Sequence, residues 1–440
     1  MKCLIIAAGR GSRLSTRADS KPLTPLLGLS LIERVILTAA STGLTHFTVV
    51  TGYSGETVRQ SLDKLSQARR LEIAHITNEE WEKGNGLSVL KAKDLLHENF
   101  ILLMADHIFD PSILLTLKNE TIADDELILA VDYDIEKNTL VDPEDVTRVF
   151  VLDDRILDIG KNMEKHNSYD TGLFLCSPAI FSAIEESVHQ GDSSLTGAIK
   201  VMAHKKKAKA LGIEGAYWID VDDDKSLKTA EAQLLSTLKK PSDGFVARFL
   251  NRPLSIRITK HLVKTDITPN LISAFSFMLS TLGAVCFFLG GYLSLVVGSV
   301  LAQMSSIIDG CDGEVARLKF QITEFGGWFD AVLDRYADGF LLLGLTYHVY
   351  STNVHFLMIV IGFLAILGAF MNSYTADKYD RFMQRKVGQG RYYFRMGRDL
   401  RMFIILLGGL LNQPLLALAV IAVVMNAENI RRVRVLYLHS

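Results

Sequence analysis

The sequence has little cysteine and no excess charge of either sign. Cys3, Cys176, Cys286 and Cys311 are scattered through 440 residues with no C-x2-C spacing. That excludes a disulfide framework and fits a soluble part kept in a reducing compartment. Forty-seven basic residues against 49 acidic ones argue against a nucleic-acid binder, which would carry a net basic footprint. No cleavable signal is expected. Lys2 precedes a short apolar run that ends in a glycine-rich turn, as a first β-strand does.

What is plentiful is hydrophobicity, unevenly placed. Mean hydropathy is +0.22, high for a soluble enzyme. The length suggests two or three domains. Residues 1–240 read as a soluble domain, 241–269 as a linker with a membrane-surface helix, and 270–440 as membrane. In the first part, apolar runs at KCLIIAAG, FTVVTGY, EIAHIT, FILLMAD and LILAVDY alternate with helix-like stretches. That alternation predicts an α/β fold with a doubly wound, mostly parallel sheet, whose ligands sit at the carboxyl ends of the strands.

Directly after the first strand, Ala7, Ala8, Gly9, Arg10, Gly11, Ser12 and Arg13 form a turn of small residues with free backbone N–H groups, suited to a phosphate chain. Arg13 and Lys21 add two cations able to hold departing charge. A dinucleotide site is the weaker reading, since the third glycine and the later acidic residue are missing. The pattern L-I-x-A-A-G-x-G-[ST]-R followed by K-P resembles the sugar-phosphate nucleotidyltransferases. The resemblance implies a divalent ion at Asp106, with Asp220 or Asp222 as the second carboxylate and Asp222 slightly favoured. It also implies a base-reading loop with Asn85 and Ser88, and a sugar-phosphate pocket with Lys161 and Asp170.

Beyond the Pro241–Gly244 hinge, FVARFLNRPLSIRITKHLV mixes apolar and basic residues at helical spacing, as a helix lying on a membrane does. Six candidate spans follow, near 270–290, 291–308, 327–350, 354–374, 400–412 and 414–430. Spanning needs about 20 mostly apolar residues. Threaded from a cytosolic start, the connectors rich in Lys and Arg all fall inside. Arg381, Arg385, Lys386, Arg391, Arg395, Arg398 and Arg401 crowd one connector, and the last three continue into a span at helical spacing.

Among these spans lie Asp309, Asp312, Asp330 and Asp334, two pairs each on one helix face. Carboxylates at membrane depth mark function, and oxygen ligands suit Mg²⁺ or Mn²⁺. Gly310, Gly313, Gly326 and Gly327 allow close approach. The order D-x2-D-G-x2-A-R-x8-G-x3-D-x3-D, with Gly313, Ala316 and Arg317 in place, resembles the CDP-alcohol phosphotransferases. The resemblance implies Asp309, Asp312 and Asp330 as metal ligands, Asp334 as general base and metal neighbour, and a homodimer through the membrane helices. Gly313, Ala316 and Arg317 would meet the nucleotide. Taken together, the chain resembles bifunctional inositol-1-phosphate cytidylyltransferase and di-myo-inositol-phosphate-phosphate synthases. That implies CTP, inositol 1-phosphate and CDP-inositol as reactants, while the six apolar intervals and the Lys/Arg distribution imply six helices in the cell membrane with both sites facing the cytoplasm. Phospholipid synthesis on a lipid alcohol and a divalent-cation transporter with a nucleotide-sensing domain are the rival readings.

Overall fold

A computed structural model describes residues 1–14, 17–240, 243–387 and 397–439. The chain forms two compact units, Met1–Gln233 and Leu234–Ser440.

The first unit contains strands β1 (Lys2–Ala7), β2 (Pro25–Leu26), β3 (Leu29–Ser30), β4 (His46–Thr51), β5 (Glu72–Thr77), β6 (Phe100–Met104), β7 (His107–Phe109), β8 (Leu127–Asp132), β9 (Arg148–Leu152), β10 (Arg155–Gly160), β11 (Ser168–Cys176), β12 (Ala208–Gly212) and β13 (Trp218–Asp220). Its helices are α1 (Leu31–Ser41), α2 (Gly55–Arg69), α3 (Asn85–Leu90), α4 (Pro111–Asn119), α5 (Ala179–His189), α6 (Leu195–His204) and α7 (Asp224–Ser236). Nine strands make one sheet in the order β5-β4-β1-β6-β11-β8-β12-β10-β9. Strands β5, β4, β1 and β6 run parallel, as the apolar runs predict. The other half is mixed, because β11 runs antiparallel to both β6 and β8, and β10 antiparallel to β12 and β9. Strands β9 and β10 are joined by Asp153 and Asp154 alone, at φ of 50° and 58°. Two left-handed residues match the twist of a hairpin, and aspartate tolerates that region. Buried Leu4, Val50, Leu102, Leu129 and Phe174 pack on Ile180, Ile184 and Ile199 of α5 and α6.

In the second unit a π-helical turn, Ala247–Asn251, leads into α8 (Arg252–Leu262). Six helices follow: α9 (Pro269–Leu289), α10 (Tyr292–Leu318), α11 (Glu324–Thr352), α12 (Phe356–Val387), α13 (Arg398–Leu410) and α14 (Pro414–His439). They occupy the six intervals expected from hydropathy. Among the described residues, four of them, at Pro269–Leu289, Tyr292–Leu318, Phe356–Ala376 and Pro414–Leu438, are long and apolar enough to cross a bilayer, against the six spans expected. Helix α11 carries Asp330, Asp334, Arg335 and Asp338 in its first half, and α13 has 13 residues. The bundle is closed by Ala284, Phe287, Leu295, Leu341, Leu345, Ile405, Leu418 and Ile421. Large apolar side chains such as Leu271, Phe275, Phe363 and Val423 point outward, as lipid-facing ones do.

One buried carboxylate braces the mixed half of the sheet. Glu126 accepts from Arg155 Nη1 at 3.0 Å and ion-pairs with Lys209 Nζ at 2.6 Å, tying β8 to β10 and β12. Burial penalises its charge, but Lys209, the Ala123 N–H and Arg155 outweigh that and hold it down at about 2. A carboxylate depressed on folding stabilises above its unfolded value and loses that contribution as pH falls through the folded one. Glu126→Gln is therefore expected to cost about 3 kcal/mol at pH 7. The gap to the wild type should stay constant down to about pH 4.5 and close toward pH 2, read from urea midpoints.

Candidate active sites

In the first unit the parallel strands deliver the site at their carboxyl ends. The turn after β1 brings Gly11 to φ 62°, and a Cβ there would collide with the side chain of Lys21. Glycine thus lets Lys21 fold back under the turn. Its ammonium lies 2.6 Å from Asp106 Oδ2, bonds Asp222, and stands 3.8 Å from Asp220 Oδ1. Asp106 follows β6, and the two-stranded ribbon of β7 with β13 sets Asp220 opposite His107. His107 Nδ1 reaches Asp106 Oδ1 at 2.8 Å, and its ring stacks on Trp218. Ligand atoms of Asp106, His107 and Asp220 all lie within 4.8 Å of one another.

This crowding shifts the groups. Burial pushes the Asp220 carboxyl up to about 6. Burial opposes charge on Lys21 and on His107, yet the surrounding aspartates win in both cases. They raise Lys21 above the usual lysine range and His107 to about 9. The buried Asp220 Oδ1 has no hydrogen-bond partner, and carboxylate oxygens of Asp106 and Asp220 stand within 4.8 Å of each other. The residues present fit a divalent ion. Asp222, by contrast, is taken up by Lys21 and by Arg13 Nη2 at 3.0 Å.

A cavity of about 880 Å³ opens beside these groups, lined by Arg13, Asn85, Asp106, Lys161, Asp170 and Asp220 among others. Asp170 accepts the Gly172 N–H at 2.8 Å, and burial raises it to about 6. Asn85 lines the cavity while its Oδ1 accepts from Leu195 N at 2.8 Å. Ser88, expected beside it, is instead buried and accepts from Asn78, away from the cavity wall. Ala7, Ala8, Gly9 and Gly11 form the turn itself, with Ser12 starting the following 3-10 turn.

In the second unit, α10 and α11 face each other across the acidic motif. Carboxylate oxygens of Asp309, Asp330 and Asp334 lie within 4.8 Å of one another. Asp312 accepts from Ser273 of α9 and lies within hydrogen-bonding reach of Asp330. This all-oxygen set fits a hard divalent ion. Arg398 reaches in from α13, with Nη1 2.8 Å from Asp309 and 2.5 Å from Asp334. Arg401 bonds the buried Asp338. Two members of the basic connector thus meet the site. Arg391 and Arg395 lie outside the described residues, as do the side chains of Arg381, Arg385 and Lys386. Arg317 Nε and Nη2 are buried without a hydrogen-bond partner, with Gly313 leaving room beside the guanidinium. Fully buried Glu314 is gripped from α8 by Arg252, Ser255 and Thr259, each at 2.7 Å, which fixes α8 to the motif helix.

His107 and Asp338 stand outside the two motifs legible in the sequence. The signal for Asp338 was present, since 330, 334 and 338 continue one helical face. His107 sits beside Asp106 in the sequence, but nothing local announces a ribbon that turns it toward the carboxylates.

A mixed α/β unit with a glycine turn over a lysine–aspartate cluster, joined to a helical unit with five clustered aspartates, defines a nucleotidyltransferase fused to a membrane CDP-alcohol phosphotransferase. Residues 3–205 match the MobA-like NTP transferase domain and residues 266–427 the CDP-alcohol phosphatidyltransferase family. A bifunctional IPC transferase and DIPP synthase of Rubrobacter xylanophilus is 34% identical over 97% of this chain and 94% of its own length. The Aquifex aeolicus protein of the same name is 32% identical over 99% and 97%. The chain belongs to this family of bifunctional IPC transferases and DIPP synthases. The solved inositol-1-phosphate CTP transferase from T. maritima matches 52% of the chain and 94% of its own, at 23% identity and a TM-score of 0.47, too distant a likeness to add to the assignment.

Asp338 supplies a test of the second site's framework. Asp338→Ala leaves Arg401 buried without its carboxylate and is expected to cost about 3 kcal/mol. Thermal unfolding in detergent reads this, and Asp338→Leu combined with Arg401→Met should recover most of the loss.

Proposed function

We propose that the chain performs two consecutive transfers. In the first, the phosphate of inositol 1-phosphate attacks the α-phosphate of CTP, giving CDP-inositol and pyrophosphate. Arg13, Lys21 and the N–H groups of the Ala7–Ser12 turn hold the departing pyrophosphate. Lys161 pairs with the acceptor phosphate, Asp170 accepts from inositol hydroxyls, and Asn85 meets the base. In the second, a hydroxyl of another inositol 1-phosphate attacks the β-phosphate of CDP-inositol, and CMP leaves. Asp334, oriented by Arg398, takes the hydroxyl proton. Arg317 offers its unpartnered N–H groups to the nucleotide, next to Gly313 and Ala316. Arg398 supplies positive charge where the acceptor phosphate enters, and Arg401, buried against Asp338, holds that carboxylate behind it.

Mg²⁺ or Mn²⁺ at both sites supplies charge neutralisation at the phosphates. Asp106 and Asp220 would hold it in the first site, Asp220 being preferred to Asp222 because its buried oxygen lacks a partner. Asp309, Asp312 and Asp330 would hold it in the second, with Asp334 alongside. The distribution of Lys and Arg supports six spans, with both sites on the cytoplasmic face of the cell membrane. Small residues in the spans are compatible with a homodimer. The observation that carries this reading is that each unit has its own carboxylate cluster with its own cations, Lys21 in one and Arg398 in the other.

Purified full-length protein given CTP, Mg²⁺ and inositol 1-phosphate, without lipid, should yield a soluble product with two inositols and two phosphates. Asp334→Asn is expected to accumulate CDP-inositol, while Asp106→Asn should need supplied CDP-inositol to make product. Each should lose its own step by at least about 100-fold. Product formed only when a lipid alcohol is added would replace the second step with phospholipid synthesis.

A further inference from the structure

Arg13 and Lys161, the two cations assigned above to substrate phosphates, converge on one carboxylate. Asp145 Oδ2 meets Arg13 Nη1 at 2.7 Å and Asp145 Oδ1 meets Lys161 Nζ at 2.6 Å. Each oxygen serves one cation, as two oxygens of a bridging phosphate would. Asp145 belongs to a stretch, residues 138–147, in which every residue lines the cavity of the first unit.

We propose that Asp145 is a built-in surrogate for substrate phosphate, holding Arg13 and Lys161 and closing this loop over the cytidylyltransferase cavity until incoming phosphates displace it. The inference rests on the roles given to Arg13 and Lys161 in the proposed first transfer.

The loop is built for such exchange. Its two ends are fixed independently of Asp145. Asn138 Nδ2 donates to the buried Asp132 at 2.6 Å, and Asp170 N donates to the Thr147 carbonyl at 2.9 Å. Arg148 Nη2 adds a bond to the Pro143 carbonyl at 3.2 Å. The contacts at Asp145 are of another kind. Side-chain exposure is 56% for Arg13, 36% for Asp145 and 59% for Lys161, so water and salt screen both pairs. A phosphate monoester brings nearly twice the charge and three acceptor oxygens. The monoester at Lys161 and the phosphates of the nucleotide at Arg13 therefore outcompete one shared carboxylate. Arg13 keeps its second contact, Asp222 at 3.0 Å, and so stays aimed into the cavity once Asp145 has left. Lys161 and Arg13 together also hold the Asp145 carboxyl down at about 2, so it remains an anion throughout the neutral range.

A tethered competitor lowers apparent affinity for the ligand it imitates, and its removal raises that affinity. Binding of inositol 1-phosphate and of inorganic pyrophosphate to the full chain, measured by calorimetry in detergent, is the test. Asp145→Asn is expected to bind both about three- to tenfold more tightly than the wild type, with an unchanged unfolding temperature. Asp142→Asn, which removes the same charge from the same loop where the nearest cation is Lys225 at 3.6 Å, should gain less than twofold. Weaker or equal binding by Asp145→Asn overturns the proposal, and so does an equal gain in both variants, which would reflect net charge alone. If neither the wild type nor Asp145→Asn binds either ligand, the assignment of Arg13 and Lys161 to phosphates falls as well.

Discussion

Carboxylates gathered away from water repel one another and lose hydration, so a cluster of them persists only where cations stand among them. Both active centres of this chain are solutions to that one problem. In the first unit Lys21 lies among Asp106, Asp220 and Asp222. In the second Arg398 spans Asp309, Asp334 and Asp338, with Arg401 on Asp338 behind it. In each centre the cation holds the acidic groups together against their mutual repulsion.

The two solutions draw on different rigid supports. Lys21 is brought under the phosphate turn because Gly11 has no side chain to block it, and its carboxylates come from a strand end and a short ribbon. The second cluster is borne by two long helices, and its arginine comes from a third. The grip of α8 on buried Glu314 then anchors the motif helix from the other side. Asp145 extends the same logic outward, since its one carboxylate holds both Arg13 and Lys161 at the wall of the first cavity.

Much of this was legible from local pattern. The acidic motif could be read because helical spacing puts residues three and four apart on one face. The parallel strands were visible as apolar runs, and the glycine turn announced itself by following the first of them. The hairpin at Asp153 and Asp154 was not visible, because it replaces the usual glycine with aspartates in the left-handed region. Ser88 shares a helical face with Asn85, yet packing buries it against Asn78, a contact no local spacing announces. Asp220 and Asp222 could not be separated by spacing, since which of them meets Lys21 and Arg13 depends on the ribbon register.

The sequence by itself determined two functional units, the residue types at each site and the family to which the chain belongs, because those follow from short-range periodicity and motif order. Tertiary structure decided the pairings: Lys21 with aspartates 85 and 201 positions away, Arg398 with one 64 positions back, and Arg13 with Asp145 across 132. Such contacts arise where separate elements end at the same point. No local spacing encodes them, since they depend on how sheets and helices close around a common core.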